Sequence, residues 1–492
     1  MRIGKPRLRN ELTPVTWALF VTKARSAVCG VLVWMVATFV VAEEESKPRL
    51  VGSTSCAAAA CHGGLAGRKV VGSEFPLWAA RDPHSRAYSV LLNDDSKQMA
   101  ARLKLSGKTA HESVECLKCH SPATVAKGPA LTDHAKRAGV DCEQCHGAAE
   151  RWLAPHSRKD WKQLSPEVKQ RLGYTNLADV LTRATLCTEC HVGGPDRDVN
   201  HDLLAAGHPR LFFELSTFHA NWPKHWPRKT DDSQHPVPDA KPNDPPGSLF
   251  EAKLWAIGQV VTAQRSLELL SQRASHSRTW PEFAEWNCFA CHHDLESDSW
   301  WQRPHRQKKH PHDALSWNSW PYALLEPLAR QTFGSEFSSS ASPISRTLRL
   351  SPLFTTLRPP QELIATEADA AAKSLHAWAE QLNDAVKSQQ LLSPDALKSL
   401  RESLISQEGQ QLVARDWDSA TQVFLAINAL RYAEKGARGR LDSTDEAQIQ
   451  AVLDSMRKSL DFQNGYRGPR QPELRQLDTL LSTPPDSSRG QK

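Results

Sequence analysis

Ten of the eleven cysteines fall into five pairs, and a histidine directly follows the second cysteine of each. Four pairs have the form C-x-x-C-H: Cys116-Leu-Lys-Cys119-His120, Cys142-Glu-Gln-Cys145-His146, Cys187-Thr-Glu-Cys190-His191 and Cys288-Phe-Ala-Cys291-His292. Two thiols at that spacing can add across the vinyl groups on one porphyrin edge, and the adjoining imidazole then reaches the iron as proximal ligand. The pattern predicts covalently attached haem c. Zinc also binds thiolates and imidazoles, but a structural zinc site has no need of a histidine after every second cysteine, so zinc is set aside. The first pair, Cys56-Ala-Ala-Ala-Ala-Cys61-His62, is wider. Four intervening residues still permit both thioethers; a Cys56–Cys61 disulfide with a free His62 is the alternative. With this pair included, five haems are expected, with His62, His120, His146, His191 and His292 proximal.

The other face of each iron separates a carrier from a catalyst. Of the four methionines, Met1 and Met35 belong to the N-terminal segment and Met456 to the haem-free part, which leaves Met99 as a candidate thioether. Histidine therefore has to supply most distal positions, and histidine on both faces implies low-potential haems. His84 in RDPHSRAYSVL opens a predicted helix. His156 follows the third motif, and His208 and His201 lie in HDLLAAGHPRLFFE after the fourth. These four are the distal candidates, with His201 last; His134, His219 and His276 rank behind them. His225, His235, His305, His310 and His312 stand in Pro- or Lys/Arg-rich stretches and read as solvated loop residues. His111 and His293 adjoin motifs too closely to assign, and His376 reads as a surface histidine. No residue is given a catalytic role.

Helices have to position these groups. No run alternates polar and apolar residues long enough to suggest a sheet, so the expected fold is mainly α with little regular sheet. Eleven of the sixteen tryptophans lie between Trp152 and Trp320, which reads as packing around large flat cofactors. Residues 1–42 read as a signal peptide: Lys23 and Arg25 precede the apolar Ala27–Ala42 run, and Val40-Val41-Ala42 supplies small residues for cleavage. An uncleaved membrane anchor is the alternative. That segment holds six Lys or Arg and one Glu, hence five of the six net positive charges. Haem propionates would make the remainder acidic, so no nucleic-acid partner follows from the charge.

Residues 50–330 form the expected multihaem domain, with a Pro-rich loop at 227–248. After that loop, Phe250, Leu254, Ile257 and Val261 recur at helical spacing. Residues 331–360, which include GSEFSSSASPIS, read as a linker. A haem-free helical domain spans 361–480, and 481–492 read as a disordered tail. Within it, helices are expected at 361–388, 393–408, 418–435 and 443–462. The signals are Ser393-Pro394 as cap and first-turn proline, Gly409 and Gly436 as stops, and Ser443 with Glu446 as a capping box.

The segments GVDCEQCHGAAERWLAPH (Gly139 to His156) and LCTECHVGGPDRDVNHDLLAAGHPRL (Leu186 to Leu211) resemble the cytochrome c-554 family and its multihaem relatives, including the hydroxylamine oxidoreductase group. The likeness runs from about Ser53 to Leu295. It implies closely packed haem pairs and distal histidines from neighbouring stretches, hence His84, His156 and His208. The family's type member has four haems, so the order of haems does not carry over to a chain with a fifth motif. No C-x-x-C-K occurs, and the lysine-ligated haem of pentahaem nitrite reductases is therefore absent.

The expected function is periplasmic or otherwise exported electron transfer between a donor and an acceptor protein, with a membrane-associated, quinone-linked partner as one option. The alternative is an oxidoreductase in which one open-coordination haem acts on a small nitrogen or sulfur compound.

Overall fold

Helix ends carry the cysteine motifs of this chain; among the described residues the larger apolar cluster reaches from the helix of the fourth motif to the C-terminal helices, and a smaller one joins Tyr88, Leu91, Ala100, Ala110 and Leu117 beside the second. The computed structural model describes residues 48–64, 71–105, 108–122, 137–194, 196–226, 249–276, 280–288, 291–292, 316–356 and 358–460. The N-terminal apolar segment, the Pro-rich 227–248 loop and the tail lie outside the described residues. Helix dominates, in line with the absence of alternating runs. Among the described residues the β contacts are isolated bridges, Gly194 with Arg197 and Trp286 with Trp317.

The first part of the chain forms short helices: α1 (Glu74–Arg81), α2 (Asp94–Arg102), α3 (Val114–His120), α4 (Cys142–His146), α5 (Pro166–Arg171), α6 (Val180–His191), α7 (His201–Ala206) and α8 (Leu215–Asn221). Side-chain caps start several of them. Asp141 accepts from Glu143 N–H ahead of α4, Asp179 from Thr182 N–H ahead of α6, and Asn200 from Leu203 N–H ahead of α7. Short helices joined by 3₁₀ turns suit a segment whose covalent cofactors would supply much of its interior.

Helix α9 (Phe250–His276) follows, at the periodicity read from the sequence. Phe250, Leu254, Ile257 and Val261 are buried, and so are Trp255, Val260, Leu267 and Leu270. A helix apolar on so many sides is enclosed: α9 packs on α6 and α8, and on α12 and α16 of the C-terminal part. The later helices are α10 (Leu325–Phe333), α11 (Ser345–Leu350), α12 (Gln361–Asn383), α13 (Ala385–Leu391), α14 (Pro394–Ile405), α15 (Gln407–Val413), α16 (Trp417–Arg438) and α17 (Ser443–Leu460).

The Ser/Pro-rich 331–360 stretch holds the end of α10, all of α11 and two 3₁₀ turns, and its Ile344, Leu350 and Phe354 are fully buried. Ser393 caps α14 as expected, accepting from Ala396 N–H with Pro394 in the first turn. Other punctuation shifts. The expected helix over 361–388 breaks at Asp384, and that over 393–408 breaks at Ser406 instead of at Gly409, which lies inside α15. Gly436 is buried within α16. The stop is Gly439, whose φ of 81° suits glycine alone among common residues. The cap of α17 is Asp442, whose carboxylate accepts from Thr444 N–H at 2.8 Å, one residue before the expected Ser443.

Candidate cofactor site

Three motifs fill the last turn of a helix. In α3, α4 and α6 the motif histidine is the final helical residue, so thiols three residues apart share a face and the imidazole lies one turn from the first cysteine. The motif at 288–292 makes the same turn without a helix before it: Cys291 and His292 N–H both donate to Cys288 O, at 3.2 and 2.8 Å. In the wider first motif, Cys61 N–H donates to Ala58 O and His62 N–H to Cys56 O, so the longer spacing folds back on itself.

The motifs adjoin one another. The Cys56 thiol lies beside that of Cys142, and Cys119 beside Cys190; Cys145 lies near Cys187 and Cys190. The order in space is therefore first, third, fourth, second. Cys56, Cys61 and the other eight motif cysteines are all free. Burial pushes the Cys145 thiol up and the Cys187 thiol up to about 11, so both are protonated near neutrality.

Each of four motif histidines faces one histidine from elsewhere in the chain. Ring centres are 6.1 Å apart for His62 and His156, 5.9 Å for His191 and His84, 6.4 Å for His120 and His208, and 6.4 Å for His146 and His225. An imidazole nitrogen binds a transition metal at about 2.0–2.1 Å, with the ring centre ~1.1 Å further back, so rings on opposite sides of one metal have centres about 6 Å apart. These separations fit that spacing. The rings of His62 and His156 are inclined at 12°, and the other three pairs at 87°, 83° and 78°.

Hydrogen bonds fix which nitrogen points inward. Nδ1 of His62 donates to Glu74 Oε2 and Nδ1 of His84 to Asp82 Oδ1, each at 2.9 Å. Nδ1 of His120 and of His208 donate to the carbonyls of Ala87 and Pro209, each at 2.8 Å, and His156 Nδ1 donates to Leu153 O. Carbonyl and carboxylate oxygens only accept, so Nδ1 carries the proton and Nε2 is the nitrogen free for a metal. Such outer contacts orient ligating imidazoles and raise their basicity. Burial, with His225 and His62 adding, pulls His146 down to about 4; burial and His84 do the same for His191. Burial also lowers His208 and His225. These imidazoles are neutral, the form that binds metal.

Asp82 anchors one corner. Its burial would raise its carboxyl, yet hydrogen bonds from His84 and from Trp222 Nε1, the latter at 2.7 Å, hold it below the usual range. Aromatic rings crowd the imidazoles. Trp152 lies 5.3 Å from His156, and Phe213 stacks on His191 at 4.9 Å.

His225 corrects the reading of a solvated loop residue: it stands against His146, with its Nδ1 buried. The signal was in its neighbours, since Trp222 and Trp226 flank it and a solvated loop has no use for two indoles. Glu143 stands at a variable position between the cysteines of its motif, where the spacing gives it no role. It is buried, and its carboxylate accepts from the N–H groups of Val51 at 3.0 Å, Gly52 at 2.6 Å and Ala149 at 2.7 Å, so it pins the strip before Cys56 to the third motif.

Of the remaining candidates, His201 opens α7, with its ring 5.7 Å from that of Phe283. His219 is buried and accepts at Nε2 from Arg183. His111 leans on Thr109 and Tyr88, and His376 pairs with Glu380 at the surface. Met99 lies on α2, close to Gly207. His276 ends α9. His134, His235, His293, His305, His310 and His312 lie outside the described residues.

A helical chain that gathers C-x-x-C-H turns beside paired imidazoles has the make-up of a c-type cytochrome. Residues 55–147, which include the first three motifs, match the family described as cytochrome c554 and c-prime. That match supports a c-type cytochrome with covalently bound haem c. No curated protein and no solved structure matches the chain.

Proposed function

We propose that the protein is an exported electron-transfer cytochrome with five covalent haems, held by low-potential bis-histidine coordination. The observation that carries this reading is the four imidazole pairs at 5.9–6.4 Å, each uniting one motif histidine with one from outside the motifs. Haem iron supplies reversible one-electron transfer. The chain's own residues orient the ligating nitrogens through Glu74, Asp82 and backbone carbonyls, exclude water with the surrounding indoles, and set the sites edge to edge. The adjoining motifs support electron passage along a row, and closed coordination on both faces favours a carrier over a catalyst. The N-terminal apolar segment supports export, since haem c is attached where exported cysteines meet haem. No helix among the described residues is long and apolar enough to cross a membrane. The partners are redox proteins that give and take electrons, one of them able to be quinone-linked at a membrane.

Intact mass of the secreted protein tests the proposal. It should exceed the processed chain by five haems. A mass with four, and Cys56 joined to Cys61, would remove the first site. The Fe(III) spectrum should be wholly low-spin, and a high-spin fraction in the wild type would transfer the case to the oxidoreductase reading.

A further inference from the structure

Four of the five motif histidines face a histidine of their own, which leaves His292 as the motif histidine without a described counterpart. Among the histidines outside those pairs whose side chains are described, His219 is engaged by Arg183, His111 by Thr109, and His376 lies on the surface beside Glu380. His201 stands next to the fifth motif. Its backbone N–H donates to Glu282 Oε1 at 2.8 Å, the same oxygen that accepts from Ala284 N–H at 2.9 Å, and its ring lies edge-on to Phe283. Glu282 and Phe283 begin the 282–288 strip that ends at Cys288.

A second tie holds the same two segments together from inside. Buried Arg273 donates to Glu285 Oε1 at 2.7 Å and to both carboxylate oxygens of Asp198, three residues before His201. Val199, Leu204 and Cys288 line one cavity, with Arg273, Glu285 and Tyr322. The strip before Cys288 is fixed in turn by the core: Asn287 N–H donates to Ser316 O and Asn318 N–H to Glu285 O, both at 2.8 Å. The backbone at His201 and the strip that leads to Cys288 are thus mounted on one rigid support, beside a cavity that Cys288 lines.

We propose that His201 is the distal ligand of the haem attached at Cys288 and Cys291, opposite His292. This rests on the five-haem reading and adds to it an owner for the fifth iron. The decisive comparison uses the full holoprotein, wild type and His201→Ala, by intact mass and Fe(III) spectroscopy. Both proteins should carry five haems; the wild type should be all low-spin, and in His201→Ala one haem in five should turn high-spin and return to low-spin when free imidazole is added. In a Cys288→Ser/Cys291→Ser background, which lacks the fifth haem, His201→Ala should then have no effect on spin state. His201→Met keeps the site filled should the alanine variant fold poorly, and should move one redox wave upward while the others stay in place. A His201→Ala protein with five low-spin haems, or a wild type whose high-spin haem is unaffected by the substitution, overturns the assignment. A wild-type mass lacking the haem at Cys288 and Cys291 would instead sink the five-haem reading on which it rests.

Discussion

At the scale of single residues, the imidazole pairs make the sharpest predictions. His225→Ala should leave every thioether in place and turn one haem high-spin, whereas His219→Ala, which removes a partner of Arg183, should leave the haem spectrum unchanged; visible and paramagnetic resonance spectra of the two variants check this. The ring inclinations predict a second signature. Near-parallel imidazoles lift the degeneracy of the iron d orbitals and perpendicular ones restore it, so the low-temperature Fe(III) spectrum should contain one rhombic signal, from His62 and His156, beside strongly axial signals from the pairs inclined at 78–87°. A spectrum with no rhombic component would contradict that pairing. The C-x-x-C-H turns were legible from spacing alone, because two thiols three residues apart and a histidine next to the second fall on one helical turn. Distal residues are chosen in space. His156 and His208 follow motifs closely and His84 opens a predicted helix, while the prolines and basic residues around His225 resemble a loop and mask the burial that its flanking indoles supply.

At the scale of elements, the third motif shows how a short helix is held. Gly147 follows His146 at φ 84° and ψ 162°, a conformation that is essentially glycine's own, and a Cβ there would sit 2.0 Å from Gly173 O. Gly147→Ala should cost about 1–3 kcal/mol from backbone strain, with the clash adding to it, seen as a lower denaturation midpoint. Glu143→Ala would leave the N–H groups of Val51, Gly52 and Ala149 without their acceptor, and bonds to a charged group are worth about 1.5–3 kcal/mol each. Val51 is exposed and Gly52 half-buried, so water replaces part of what they lose; the cost should be about 3–5 kcal/mol and should loosen the first motif before the others, which hydrogen exchange at 49–56 can follow. Helix positions in the C-terminal part were legible because periodic apolar residues and caps are local. Their ends were less so. Gly436 and Gly409 looked like stops, but small residues also sit where helices press together, and only packing tells the two uses apart.

At the scale of the whole molecule, the helices beyond residue 361 serve as the wall against which the cofactor segments are set. Arg210, two residues after His208, donates to Asp418 Oδ1 at 3.0 Å and to Asn318 at 2.9 Å, and Trp320 Nε1 donates to the carbonyl of Phe213, whose ring stacks on His191. Asp418 is fully buried, so Asp418→Ala would strand a guanidinium inside the protein and should lower unfolding free energy by about 3–5 kcal/mol. Chemical denaturation of the holoprotein measures it, and a change under 1 kcal/mol would refute the anchoring role. None of this was legible in the sequence, since the partners are 208 residues apart. The contacts between thiols of different motifs bear on how the molecule is made. Cys56 beside Cys142, and Cys119 beside Cys190, are wrong partners within reach of each other. An oxidant that met the folded apoprotein would staple one motif to another and seal both against their cofactors. Haem attached while the chain is still open would forestall that cross-link, so apoprotein folded under oxidant should accept less haem than the same chain kept reduced.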